Sequence, residues 1–206
     1  MYLPSHFNHP EHAIKLMRAH PLAQLVSCDD QGFPFVTPLP LHVDMRGEQV
    51  VLQGHCAKGN PHWRYLQNRP QALVLFMGPQ AFMSTRVYPD LTRVPTWTYL
   101  TVQARVEASL LHDQAAKDVM LKPLIADHDP AYIPQWQGLP EGYSQRMLSG
   151  LVAFELKVLS SECSVKLNQH RPESHAAMYQ AYAKGDTQEQ ALAQWMLDLG
   201  MVKKPA

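Results

Sequence analysis

FPFVTPLPLHV, residues 33–43, decides the architecture of this chain. Its apolar and β-branched residues favour an extended strand, yet Pro34, Pro38 and Pro40 remove three N–H donors, all at even positions. In an antiparallel strand, residues of one parity direct their backbone groups to the same edge. One edge of this strand therefore cannot carry a regular ladder, and the strand pairs fully on one side only. Its other side is an ordinary sheet edge, or it faces a gap, a bulge or a ligand.

Upstream, LAQLVSC (22–28) and the turn residues Asp29 to Gly32 make the proline-bearing strand the second arm of a hairpin. Downstream, a turn at Arg46 and Gly47 leads into the strand QVVLQGH (49–55). ALVLFM (72–77) is apolar without alternation, as expected of a strand covered on both faces, and Gly78 and Pro79 are expected to end it. From Thr98 to Leu110 the even positions are small or apolar, while Thr101, Gln103, Arg105 and Glu107 are polar, which predicts a long half-buried strand. Leu151 to Val158 alternates in the same way. The count is six or seven strands.

The helical segments are peripheral. Residues 10–20 start at Pro10 with Ile14 and Met17 on one face, and Asp113 to Asp127 places Ala116, Val119, Met120 and Leu124 on one stripe. Residues 172–184 run from a proline to Gly185, and Asp186 with Glu189 forms a capping box for a helix ending at Gly200. Strands with helices inserted between and after them predict a mainly β fold, a six-stranded antiparallel barrel with peripheral helices. The expected organisation is a barrel domain over residues 1–165 and a C-terminal helical arm over 166–206.

Composition narrows the function classes. Of 206 residues 46% are hydrophobic and 17% charged, which describes a folded globular chain with a sizeable core. Eighteen basic and eighteen acidic residues cancel, so no global field draws in DNA or an anionic membrane. No apolar run is long enough to span a bilayer, and MYLPSHFNHPEH lacks the layout of a signal peptide, so a cytoplasmic protein is expected. Cys28, Cys56 and Cys163 are odd in number and widely spaced, as for reduced thiols. His6, His9 and His12 recur every third residue, but Pro10 interrupts the segment and no metal site is expected there. No catalytic Ser–His–Asp or Cys–His set is recoverable.

GHCAKGNPHW (54–63) joins the end of a strand to the start of a helix from Pro61 to about Leu66. Asn60 followed by Pro61 is a helix-start signal, and the first N–H groups of such a helix make a natural anion site. Lys58 and Arg64 add two charges. The plainer reading is a capped surface helix.

Taken in order, several blocks make the chain resemble the PaiB-like proteins, FMN-binding negative transcriptional regulators of the flavin-binding split-barrel superfamily. They are Tyr2, Pro4 and Phe7 in MYLPSHF, Pro38 to Pro40, GHCAKGNPHWR, FMGP (76–79), VPTWTY (94–99), Gly150 to Phe154, and KLNQHRP (166–172). The family more often has Ser and Asn where this chain has Asn168 and His170.

The resemblance implies a split barrel that dimerises and holds FMN in a groove between subunits. His55, Ala57, Lys58 and Asn60 fall at the phosphate turn, and the strand at Thr37, Pro38 and Leu39 offers its free backbone edge to the isoalloxazine. Trp63, Trp97 and Tyr99 are candidates to cover the ring, the last two from the partner subunit, and Lys166 and Gln169 to bond its polar edge. Two classes of function follow: a flavoprotein with a redox or sensing role, or a DNA-binding repressor. The neutral charge and the lack of a basic recognition helix make direct DNA binding doubtful. Haem binding, open to a chain with eleven histidines, is a third alternative.

Overall fold

The computed structural model describes residues 1–90 and 92–203, so the last three residues of the expected C-terminal arm lie outside it. Among the described residues seven strands form one sheet: β1 Leu22–Cys28, β2 Pro34–Pro40, β3 His42–Arg46, β4 Gln49–Ala57, β5 Gln71–Met83, β6 Thr96–Leu111 and β7 Leu151–Lys166, in the order β2-β1-β5-β6-β7-β4-β3. The helices are α1 Ala13–Ala19, α2 His62–Asn68, α3 Gln114–His128, α4 Ile133–Gln137, α5 Glu141–Ser149, α6 His175–Ala183 and α7 Thr187–Asp198.

The expected six-stranded barrel is one strand short, because residues 33–43 are two strands rather than one. The chain breaks at Leu41, whose N–H donates to the Pro21 carbonyl (3.0 Å) and whose side chain is buried. The break closes the sheet. β2 and β3 stand at opposite ends of the strand order, and six spacings of about 4.8 Å would hold them about 29 Å apart in a flat sheet. Pro40 and His42 are two Cα steps apart, at most about 7.6 Å. The two edges must therefore curl together, and the packing shows it: a Cβ added at Gly54 of β4 would meet Leu41 Cδ2 at 2.6 Å and the Pro40 carbonyl oxygen at 3.3 Å. Only glycine lets the two ends of the sheet approach so closely.

The chain divides into two compact units. One comprises residues 17–76 and 103–161, and the other 1–16, 77–102 and 162–206, so β5, β6 and β7 contribute to both. In the first unit β1 pairs antiparallel with β2 along its whole length and with β5 at Leu73 to Leu75, and β4 pairs with β3 and with β7. Met120, Leu121 and Leu124 of α3 pack with Leu148 and Ala153, with Trp136 against their margin. Val119 is 66% exposed and leaves the predicted stripe. In the second unit α7 begins at the predicted capping box, Asp186 accepting from the Gln188 and Glu189 amides, and buries Leu192, Trp195 and Met196. Thr98 Oγ1 meets Tyr182 Oη at 2.7 Å in the interior.

Gly78 and Pro79 do not end β5. An added Cβ at Gly78 would lie 2.7 Å from Leu16 Cδ1 and 3.2 Å from the Leu100 carbonyl oxygen, so this glycine serves a close approach and not a turn. Pro79 lies beyond the three residues of β5 registered with β1, so no ladder bond on that side is lost. β7 likewise runs past Val158 to Lys166, its end held by an N-terminal bridge between Asn8 and Ser164.

If the crossing at Leu41 holds the closed sheet, Leu41→Ala lowers unfolding free energy by about 2–5 kcal/mol. Val36→Ala, on the exposed face of β2, changes it by less than about 0.5 kcal/mol. Urea denaturation of the two variants checks this, and equal midpoints would contradict it.

Candidate functional site

The turn after β4 is built from short-range bonds. Lys58 N–H donates to the Gly150 carbonyl (2.9 Å), Asn60 N–H to that of Ala57 (2.9 Å), and the Trp63 indole N–H to that of Lys58 (3.0 Å). The helix starts one residue later than predicted, with Asn60 Oδ1 accepting from the His62 amide at 3.0 Å. The amides of Lys58, Asn60 and His62 therefore already have acceptors, and the turn's remaining capacity for an anion lies mainly in charge. The Lys58 side chain is exposed, and the Arg64 guanidinium lies 5.1 Å from the Trp63 ring centre.

A buried network ties this turn to the proline-bearing strand. Asn60 Nδ2 donates to Thr37 Oγ1 (3.2 Å), Thr37 Oγ1 meets His62 Nδ1 (2.8 Å), and His62 Nε2 meets Ser27 Oγ (2.9 Å). His62 is 1% exposed, and burial pushes its pKa from 6.5 down to about 4, so at neutral pH it is an uncharged imidazole bridging two hydroxyls. Phe35 stands edge-on to it at 5.2 Å. His62 is a residue of the candidate site that spacing along the sequence does not reveal, since its partners lie 25 and 35 residues away.

β2 is the first strand of the sheet and pairs with β1 alone. Phe35, Thr37 and Leu39 turn inward, while Val36 and Pro38 are exposed. Pro34, Pro38 and Pro40 have no N–H to give β1, so the odd pairs Ser27–Phe35, Leu25–Thr37 and Ala23–Leu39 carry the β1–β2 ladder. The open margin of β2 then presents the backbone groups of residues 34, 36, 38 and 40. Three of these are prolines, so the margin offers four carbonyls and a single N–H, that of Val36. It is a nearly pure acceptor edge.

Of the other predicted residues in this unit, Leu39 is buried and its Cδ1 lies 3.3 Å from the position of an added Gly54 Cβ. Ala57 ends β4 and is exposed, and Trp63 is half-buried. His55 sits on β4 opposite Ala153. Its Nδ1 is buried without a hydrogen-bond partner among the described residues, and burial lowers its pKa, so it acts as a neutral donor or acceptor.

The remaining four lie in the other unit. Trp97 is 54% exposed and packs edge-on against the equally exposed Phe82 at 6.1 Å, a partner absent from the sequence reading. Tyr99 carries Lys166 Nζ 5.2 Å from its ring centre, and the same Nζ donates to Thr96 Oγ1 at 3.0 Å. Gln169 Oε1 accepts from the Leu167 amide, and its Nε2 donates to the Val165 carbonyl and approaches His9 Nε2 at 3.4 Å. Its amide is thus occupied in shaping the chain around Lys166. His9, Glu11 and His12 converge within 4.8 Å. The locked Gln169 donor makes His9 Nε2 an acceptor, which leaves the proton on Nδ1 to bond Glu11 at 3.0 Å.

The fold is mainly β, a seven-stranded antiparallel sheet with helices around it, and the candidate site on it is an acceptor edge beside a cationic turn. Residues 1–160 match the family described as "Putative FMN-binding domain". The chain belongs to that family, and FMN is the cofactor that membership assigns to it. It is 31% identical over 179 residues to the protease synthase and sporulation protein PAI 2 of Bacillus subtilis (strain 168), covering 84% of each chain. Among solved structures it is similar to the flavocytochrome Anf3 of Azotobacter vinelandii, with a TM-score of 0.61, 18% identity, and 78% of this chain and 68% of that one covered. The FAD and heme binding protein of Mycobacterium smegmatis gives a TM-score of 0.60 at 18% identity, covering 77% and 71%. These two likenesses establish a shared split-barrel fold.

The neutral His62 makes a pH prediction. Between pH 6.5 and about 4 the unfolded chain takes up a proton at this residue that the folded protein excludes, so stability falls as pH falls through that window. Above pH 6.5 this residue contributes no pH dependence. The loss approaches about 3 kcal/mol at the acid end. Denaturation midpoints at pH 7 and in the acid window, compared between native protein and His62→Asn, should show a shallower fall in the variant, and equal falls would contradict the assignment.

Proposed function

We propose that this protein is a dimeric flavoprotein that holds FMN against the open margin of β2, with the phosphate at the turn from His55 to Asn60 and a redox or sensing role. One observation carries the reading: the Asn60–Thr37 bond, 3.2 Å long, locks the cationic turn to the unpaired strand edge, so the two halves of a mononucleotide berth sit side by side. The margin matches part of the isoalloxazine pyrimidine edge, which is an N–H between two carbonyls: a β2 carbonyl accepts from that N–H and Val36 N–H donates to one flavin carbonyl, while the other takes its donor from outside β2. The unpartnered His55 Nδ1 supplies a further polar contact.

FMN, when bound, supplies the electron-transfer chemistry, and the chain binds, orients and covers it. Lys58 and Arg64 offset the phosphate charge. Thr37, Pro38 and Leu39 fix the line of the edge, Ala57 leaves the turn open, and Trp63 shields it. In a dimer, Trp97 and Tyr99 of a second copy cover the ring, and the exposed Trp97–Phe82 pair supports this by its lack of cover. The Gln169 amide is taken up by Leu167 and Val165 and Lys166 lines a separate pocket, so these two are not assigned to the flavin's polar edge. The division into a barrel (1–165) and an arm (166–206) and a cytoplasmic location belong to the same proposal. Among the described residues no helix is long and apolar enough to cross a membrane. A link to negative transcriptional regulation acts indirectly through flavin state, consistent with the zero net charge.

The purified protein should be yellow with a flavin spectrum. Lys58→Glu should weaken FMN binding by roughly 10- to 100-fold, one or two charge-assisted contacts' worth, without shifting the melting temperature of the flavin-free protein. Unchanged FMN affinity in that variant, measured by fluorescence titration, would overturn the phosphate assignment.

A further inference from the structure

A second pocket, of about 380 Å³, lies wholly within the unit containing α6 and α7, and its chemistry differs from that of the β2 margin. We infer that this pocket, lined by His6, Tyr88, Arg93, Lys166, His170 and Arg171, binds a small organic anion that carries a flat ring.

The charge balance argues for the anion. Three cations line the pocket and no carboxylate does. Lys166 Nζ is held by the Thr96 hydroxyl and the Tyr99 ring, neither of which neutralises it. The Arg171 side chain is exposed and forms no ion pair among the described residues. Arg93 pairs through Nη2 with Asp90 (3.1 Å) and Glu173 (3.9 Å), yet its Nε is buried with no acceptor among the described residues. Asp90 and Glu173 offset the Arg93 charge, so the positive field in the pocket comes from Lys166 and Arg171, and an oxyanion offsets it.

The walls argue for the ring. His6, Phe7 and His170 form one aromatic cluster, with centroids 4.1 Å apart for His6–Phe7 and 5.2 Å for His6–His170. Partial burial and the neighbouring His6 and Arg171 lower the His170 pKa, which favours the uncharged form of that ring. Across the pocket stand Tyr88 and Val94. The volume accommodates a molecule of one or two rings.

The backbone is shaped for this arrangement. Asn168 adopts a left-handed conformation (φ 62°), the one non-glycine residue to do so among those described. Its Nδ2 donates to Tyr88 Oη (2.9 Å) and Ser174 Oγ (2.8 Å), and its carbonyl meets His175 Nε2 at 3.1 Å. Such a conformation persists only where surrounding bonds hold it. Here it carries the chain from Lys166 round to His170 and Arg171, so that all three reach the same pocket.

The test is calorimetric titration of the full-length, flavin-loaded protein with benzoate, and with acetate as the ring-free probe. Benzoate should bind at one site per chain, about tenfold or more tighter than acetate, and without releasing flavin. Arg171→Glu should weaken benzoate about tenfold and Arg171→Gln by a smaller factor, both at an exposed position that folding tolerates. Lys58→Glu, which sheds flavin under the reading above, should leave benzoate affinity within about twofold, so failure of one assignment does not entail failure of the other. No benzoate heat, equal affinity for acetate, an unchanged affinity in Arg171→Glu, or release of flavin by benzoate would each overturn the inference.

Discussion

A single residue, Leu41, joins the first and last strands of a seven-stranded sheet, and the rest of the arrangement follows from that short tether. Chain connectivity forbids a flat sheet here. Once the edges curl together, β4 must pass close to the end of β2, and Gly54 supplies the room. The proline parity of β2 then decides which of its sides pairs. The odd residues bond β1, and the even margin is left with carbonyls that no neighbouring strand takes up. Closure and an open edge usually exclude one another in a barrel. This sheet has both, because the crossing at Leu41 ties the strand ends without laddering them.

An open edge alone would be a liability for aggregation, and the prolines that create it also blunt it, since a strand lacking donors is a poor template. Beside this edge runs the chain of contacts from Ser27 through His62 and Thr37 to Asn60. An uncharged imidazole held between two hydroxyls fixes α2 over the hairpin, and through Asn60 it fixes the Lys58 turn as well. The charged groups that would face a phosphate stay exposed and adjustable, while the groups that set their position are buried. That division of labour suits a site that must bind a dianion and keep a flat ring in a fixed plane.

Much of the fold was legible from periodicity and turn chemistry. The 22–28 strand, the alternation over 98–110 and the capping box at Asp186 and Glu189 all rest on local rules, and the structure carries each of them. The break at Leu41 was not legible, because Leu41 is as apolar as its neighbours and its cause is the distant edge that β3 joins. Gly78 and Pro79 misled for a related reason: their local meaning is a turn, and only the packing of Leu16 and Leu100 makes them strand residues. In the site, the residue types at the turn were readable, whereas the His62 network joins residues too far apart in sequence for spacing to reveal. Helices α4 and α5 passed unread, as short segments without a strong apolar stripe or a capping side chain.

Amide hydrogen exchange along residues 33–43, followed residue by residue with and without FMN, tests the central claim most directly. Exchange should be slow at Phe35, Thr37 and Leu39 and fast at Val36 in the flavin-free protein, and Val36 should become protected when FMN is added. Slow exchange at Val36 without flavin, or no change there on adding it, would contradict the assignment of this margin as the cofactor's edge.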